Sequence, residues 1–421
     1  MSVRAMTAER TWVAPIDGTP RNELTIRRAR VPGTDGLREL HIEAGRVRRD
    51  APQSNTDREA EPGLDAGGNL LLPGFVDAHV HLDKAYLLTE AEREHGIPEA
   101  TLAGAIGAVE RLGRRPLAEV HARATRAVRT MVAYGTVAAR THVEISASTN
   151  PGIVEVHLEL QREHHQACQL QLCAFPQLGL ADPEIRARMR AALDDGVEVV
   201  GGCPYVDAAP AAHLDFVFSL AELYGRPVDL HLDFSDDPAQ SQIDLVVERT
   251  RTHALQGRVL LGHVTTLATM DEYSRRKRLD ALAEAGIGIA AAPATDLYLG
   301  GQGEPGFRSL APVFEAISAG VAVAVVSNNI ANPFAPFGNA SLLQAAALAG
   351  VTHRASGPAQ RRYLLEAIST VPASLMGLPP HGPAVGQVAD LALVAAEEPD
   401  VAVTQTVPVL TTVRAGSVVA R

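Results

Sequence analysis

Eight short apolar runs recur between residues 73 and 383, and no other feature limits the possible folds so sharply. They read FVDAHVHL, TVAARTHVEI, LQLCAFP, VEVVGGCP, PVDLHLD, RVLLGHV, IGIAAAP and VAVAVVS. Runs this short and apolar suit strands that are covered on both faces, as parallel strands under helices are. The stretches between them, such as PEIRARMRAALDDG and AAHLDFVFSLAELYG, place apolar residues at helical spacing. Eight strand–helix units predict an α/β protein, a (β/α)₈ barrel of the TIM type rather than a doubly wound sheet.

The two ends read differently. ELTIRRARV and LRELHIEAGRV alternate apolar and polar residues around a PGTDG turn, and a polar stretch over residues 48–68 follows. Near the other end, ADLALVAA, a turn at EEPD and VPVLTTVRAGSVVA have the same texture. Residues 1–72 and 384–421 are therefore expected to pair into one small β-sandwich domain beside a barrel over 73–383.

Composition narrows the possible roles. Aromatic residues are 4% of the chain, so the core must be built from Ala, Val, Leu and Ile. A net charge of −11 argues against nucleic acid or an anionic membrane as partner, since both select a basic face. A small-molecule substrate is the expected partner, with self-association open. The start, MSVRAMTAERTW, lacks an apolar leader, and three cysteines without a CxxC pair offer neither a disulfide framework nor a thiolate metal site. A reduced, cytoplasmic protein is expected.

In a barrel of this type, function sits at the C-terminal ends of the strands. The first run ends in His79-Val80-His81, whose two imidazoles point to one face of a strand and suit two ligands of one metal. His142 and Glu144, His231 and Asp233, and His263 end three further runs. Neutral imidazole is a common ligand of zinc and iron. The plainer alternative is a set of hydrogen-bonded core histidines.

The motifs GFVDAHVHLDKA, RTHVEIS, AFPQLGL, HLDFSDD, GHVTT and SNNIANPFAPFG resemble, in register from Leu72 to Gln344, the cytosine deaminase branch of the amidohydrolase superfamily. The resemblance implies one divalent metal, zinc or iron, held by His79, His81 and His231. It implies that His263 is a further ligand or polarises the substrate, and that Gln177 bonds the edge of a pyrimidine-like ring. Lys84, His142, Phe234 and Asn329 fall in the same motifs and are expected near the substrate. His231, Asp233, His263 and Asn328 are the expected catalytic group.

Two positions depart from that pattern. Phe234 stands where the family has the glutamate that shuttles protons, and Asn328 where it has the strand-eight aspartate. The neighbouring family histidine and aspartate are Ser327 and Asn329. Each positioned proton-transfer group contributes about 10²–10⁴-fold, so ordinary cytosine deamination is expected to be negligible unless Asp236 or Asp237 reaches in from the loop. Three readings stay open: a metal-dependent hydrolase of C–N bonds with an altered site, a lyase, isomerase or cyclase that could be metal-free, and a silent binding protein.

Overall fold

The computed structural model describes residues 23–53, 63–301 and 308–421. Residues 1–22 and part of the polar stretch at 48–68 lie outside the described residues.

All eight apolar runs form strands, and each pairs in parallel with the next: β6 (Phe75–Val80), β7 (Thr136–Glu144), β8 (Gln169–Phe175), β9 (Val199–Gly202), β10 (Val228–Leu232), β11 (Val259–His263), β12 (Gly288–Ala291) and β13 (Val323–Val325). The sheet closes at its mouth through a parallel bridge between Val80 and Asn328. His81 N–H donates to the Asn328 carbonyl at 2.8 Å, and Asn328 N–H to the His79 carbonyl at 3.0 Å.

Alternation along the strands separates two layers. Val76, Ala78, Val80, Ala139 and Val143 join the surrounding apolar clusters, packing against helix residues such as Val128, Met131 and Ala373. Asp77, His79 and His81 on β6, Arg140 and His142 on β7, and Asp229 and His231 on β10 turn the other way and fill the barrel with polar side chains.

The termini build two four-stranded sheets. β1 (Glu23–Ala29), β2 (Arg38–Glu43), β3 (Arg46–Pro52) and β4 (Leu64–Asp65) form one, in the order β3-β2-β1-β4. β5 (Leu70–Pro73) joins β14 (Leu391–Val394), β15 (Val409–Arg414) and β16 (Ser417–Ala420) in the other. Leu24, Ile26, Leu40 and Val47 pack against Leu71, Leu391, Leu393 and Val413, so the sheets share one core and form the small sandwich. The chain passes from sandwich to barrel at Gly74, between β5 and β6. A Cβ there would lie 2.6 Å from Val137, so only glycine fits. No helix among the described residues is long and apolar enough to cross a membrane.

Candidate active site

Three imidazoles meet at the mouth of the barrel. The Nε2 atoms of His79 and His81 lie 3.1 and 2.9 Å from Nε2 of His231. A tetrahedral metal with nitrogen ligands at about 2.0–2.1 Å would hold its ligands roughly 3.3 Å apart, and these two edges are close to that spacing. Ligand atoms of His79, His231 and His263, and of His79, His81 and His142, also lie within 4.8 Å of one another. Burial holds His79 down at about 3, and holds His81 and His231 well below the ordinary imidazole value, so all three rings are neutral. Neutral rings are the form that ligates. Nδ1 of His81 and of His231, and Oδ1 of Asn328, are buried without hydrogen-bond partners. The converging Nε2 atoms, with the unpartnered Oδ1 of Asn328 beside them, fit a divalent metal that His79, His81 and His231 would hold.

Behind these histidines lies a buried ion pair. Arg140 Nη1 contacts Asp229 Oδ2 at 2.8 Å, and Arg140 Nε donates to Gln171 Oε1 at 2.8 Å. Asp229 Oδ1 lies 3.3 Å from both His79 Nδ1 and His142 Nε2. Burial opposes the charge on Asp229, yet His142 and His79 hold its carboxyl well below the usual range. A carboxylate behind His79 favours the tautomer whose Nε2 is free to ligate. Gly262 makes room for that ring, because a Cβ there would lie 2.9 Å from His79 Cε1.

A pocket opens in front of the histidines. Its walls include His81, His231 and His263, with Gln177, Phe234 and Asn328. Leu102 and Phe334 extend the apolar side beside Phe234. Phe175 stacks on His231 from outside this wall, with centroids 4.0 Å apart and planes 22° apart. Four residues at the strand ends, Asp233, His263, Val264 and Asn328, take left-handed backbone, with φ of 52°, 73°, 45° and 57°. Non-glycine residues adopt that region at a cost of about 1–3 kcal/mol each, and such residues cluster at functional sites.

Several expected residues occupy other places. Asp233 is not on the pocket wall: its carboxylate accepts from Gln242 N–H at 2.9 Å and Thr266 Oγ1 at 2.8 Å, and left-handed backbone turns it from the histidines. Asp236 accepts from Gly301 N–H and Ser309 Oγ, and Asp237 caps the turn at Pro238–Gln240, so neither lies on the pocket wall. His142 is buried beside Asp229, behind the ligands rather than against a substrate. Lys84 reaches the wall, but its ammonium is held by Glu144 at 2.7 Å and Asp83 at 3.3 Å. Asn329 also lines the pocket, with its amide engaged by Thr295 and Asn332.

Other residues of the site escaped the sequence reading. Asp229 and Arg140 each precede a strand-end histidine by two positions, and strand alternation could have placed them on the same inner face. Asp296, in the helix Pro293–Leu299, carries no such signal. Its Oδ1 lies 2.6 Å from Nδ1 of His263.

Fold and site together define a barrel protein with a histidine-rich centre at the strand ends. The chain belongs to the amidohydrolase family, whose sequence model matches residues 98–420. That match takes in His142, His231, His263 and Asn328, and begins after the His79–His81 pair. Pterin deaminase of Rhizobium rhizogenes (strain K84 / ATCC BAA-868) is 28% identical over 87% of this chain and 84% of its own. N-isopropylammelide isopropyl amidohydrolase of Pseudomonas sp. (strain ADP) is 24% identical over 95% and 97%. Among solved structures, 5-methylcytosine deaminase from Klebsiella pneumoniae, liganded with phosphonocytosine, is similar at a TM-score of 0.87. It is 26% identical, over 94% of this chain and 98% of that one.

Proposed function

We propose that this protein hydrolyses a C–N bond of a small nitrogen heterocycle, with one divalent metal, zinc or iron, held by His79, His81 and His231. The observation that carries this reading is the approach of three buried, neutral Nε2 atoms to within 3.1 Å along two edges, beside a pocket lined by Gln177 and Phe234. Bound there, the metal would lower the pKa of a water molecule and polarise the carbon under attack. Gln177 offers both a donor and an acceptor to a ring edge. Phe234, Phe334 and Leu102 form an apolar wall that disfavours charge on the substrate and leaves room for an alkyl or ring substituent. The relatives act on C–N bonds of pterin- and ammelide-type rings by their names, which supports hydrolysis over a lyase, isomerase or binding role.

The test combines metal analysis of untagged protein with release of ammonia or amine from cytosine, 5-methylcytosine, pterin and N-isopropylammelide. Stoichiometric zinc or iron is expected, with turnover of a substituted or fused ring and negligible turnover of cytosine. Protein that takes up neither metal and releases nothing from any of the four would overturn the reading.

A further inference from the structure

Hydrolysis of this kind, which rests on the function proposed above, needs a group that takes a proton from water and returns it to the departing nitrogen. Among the described residues the pocket wall carries no carboxylate. The acids nearest to it are committed elsewhere: Asp233 to Gln242 and Thr266, Asp236 to Gly301 and Ser309, Glu144 to Lys84 and Ser146. One carboxylate touches an imidazole of the wall. Asp296 is fully buried, its Oδ1 lies 2.6 Å from His263 Nδ1, and its Oδ2 accepts from Ala292 N–H at 3.3 Å.

We propose that His263 and Asp296 form the proton-transfer dyad of this enzyme and replace the two acids that Phe234 and Asn328 displace. His263 is the catalytic residue, and Asp296 positions it. Donation of Nδ1–H to Asp296 leaves the lone pair on Nε2, the ring nitrogen that remains for the pocket. Phe234 then has a constructive part. Its ring meets His263 edge-on, with centroids 5.0 Å apart and planes 82° apart, and so fills the space into which the imidazole would otherwise swing.

In the reaction, a water proton passes to His263 Nε2 as the water oxygen bonds to the ring carbon. Nε2 returns that proton to the exocyclic nitrogen, whose C–N bond breaks with the electron pair leaving on nitrogen. The second water proton moves from the new hydroxyl to the adjacent ring nitrogen as the carbonyl forms. The ring gains oxygen and an N–H, the amine leaves neutral, and His263 ends as it began. Asp296 holds the ring in place throughout and steadies the transient imidazolium.

The full chain tests this through Asp296→Asn, Asp296→Ala and His263→Ala. The low-field imidazole proton of a carboxylate-bound histidine is expected in the NMR spectrum of the wild type and absent from Asp296→Asn and His263→Ala. All three variants are expected to keep stoichiometric zinc. With whichever of the four rings above is turned over, Asp296→Asn should lower kcat by about 10²–10⁴-fold with little change in KM, and added formate should restore part of the Asp296→Ala loss. Loss of zinc in His263→Ala would make His263 a ligand and overturn the dyad, as would a resonance that survives in Asp296→Asn or equal kcat in Asp296→Asn and wild type. If no ring is turned over, the function proposed above fails, while the resonance and the zinc content still judge the dyad.

Discussion

The backbone N–H of Asn328 donates to the carbonyl of His79 at 3.0 Å, so the bond that closes the barrel also sets the last strand's side chain beside the first strand's histidine. Asn328 has φ of 57°, a left-handed conformation that Asn and Asp tolerate better than other side chains. Its Oδ1 is buried and unpartnered. The position is thus shaped for an aspartate or its amide.

Asn328→Asp should therefore fold without new backbone strain and bind zinc more tightly, by roughly tenfold or about 1.4 kcal/mol, because it adds an anionic ligand beside three neutral ones. Combining it with Phe234→Glu restores both family acids but removes a half-buried ring from Phe334, Ala105 and His263, at a cost of about 1–2 kcal/mol. The double variant should gain metal and bind apolar substituted rings more weakly. Equal binding of every wild-type ligand, measured by thermal shift with and without zinc, would show that Phe234 is not a working part of the wall.

Replacing His79 and His81 together by alanine should abolish metal binding while circular dichroism still reports the barrel. The two side chains meet only His231 and the groups around it at the mouth, and the strand ladder does not depend on them. Unchanged zinc content in the double variant would rule the pair out as ligands.

Arg140 and Asp229 are both buried, so Arg140→Met strands a carboxylate in the barrel. The expected loss of stability is about 3–5 kcal/mol, read as a lower urea midpoint. Asp229 also faces His79 Nδ1, and losing its anchor should weaken zinc by about 10–100-fold. A variant that loses stability but keeps wild-type zinc affinity would separate the ion pair from the site.

Acid should destabilise the metal-free protein. Burial pushes His79 down to about 3, and pushes His81, His231, His157 and His213 below the ordinary 6.5. Such groups bind fewer protons folded than unfolded, so their stabilisation is complete above about pH 6.5 and is lost as pH falls. Asp77 opposes them: burial raises it to about 6, so the folded state gains stability as pH drops from there toward the unfolded value of 3.8. Burial raises Asp233 in the same sense. Five histidines outweigh two carboxylates, and the urea midpoint at about pH 5 should lie below that at about pH 7.5. A higher midpoint at the lower pH would contradict the buried, neutral state of the ligand set.

Whatever depends on local period was readable along the chain. Eight apolar runs at strand length imply a parallel sheet under helices, alternating ends imply the sandwich, and His79 and His81 two apart must share a face. Only the closed barrel decided which groups meet across it. His231 comes within 2.9 Å of His81 from a strand 150 residues away, and Asp229 joins Arg140 and two histidines. Nothing local marks those distances, because they depend on the number and stagger of the strands. Loops and turns decided the acids. Asp233 stands two residues from His231, yet a left-handed turn and two hydrogen bonds carry it away. Asp296, 33 residues from His263, is brought to 2.6 Å by the helix that follows β12. Side-chain alternation is a property of one strand, but the partner of a buried charge is chosen by the whole fold, since only tertiary packing excludes the water that would otherwise take its place.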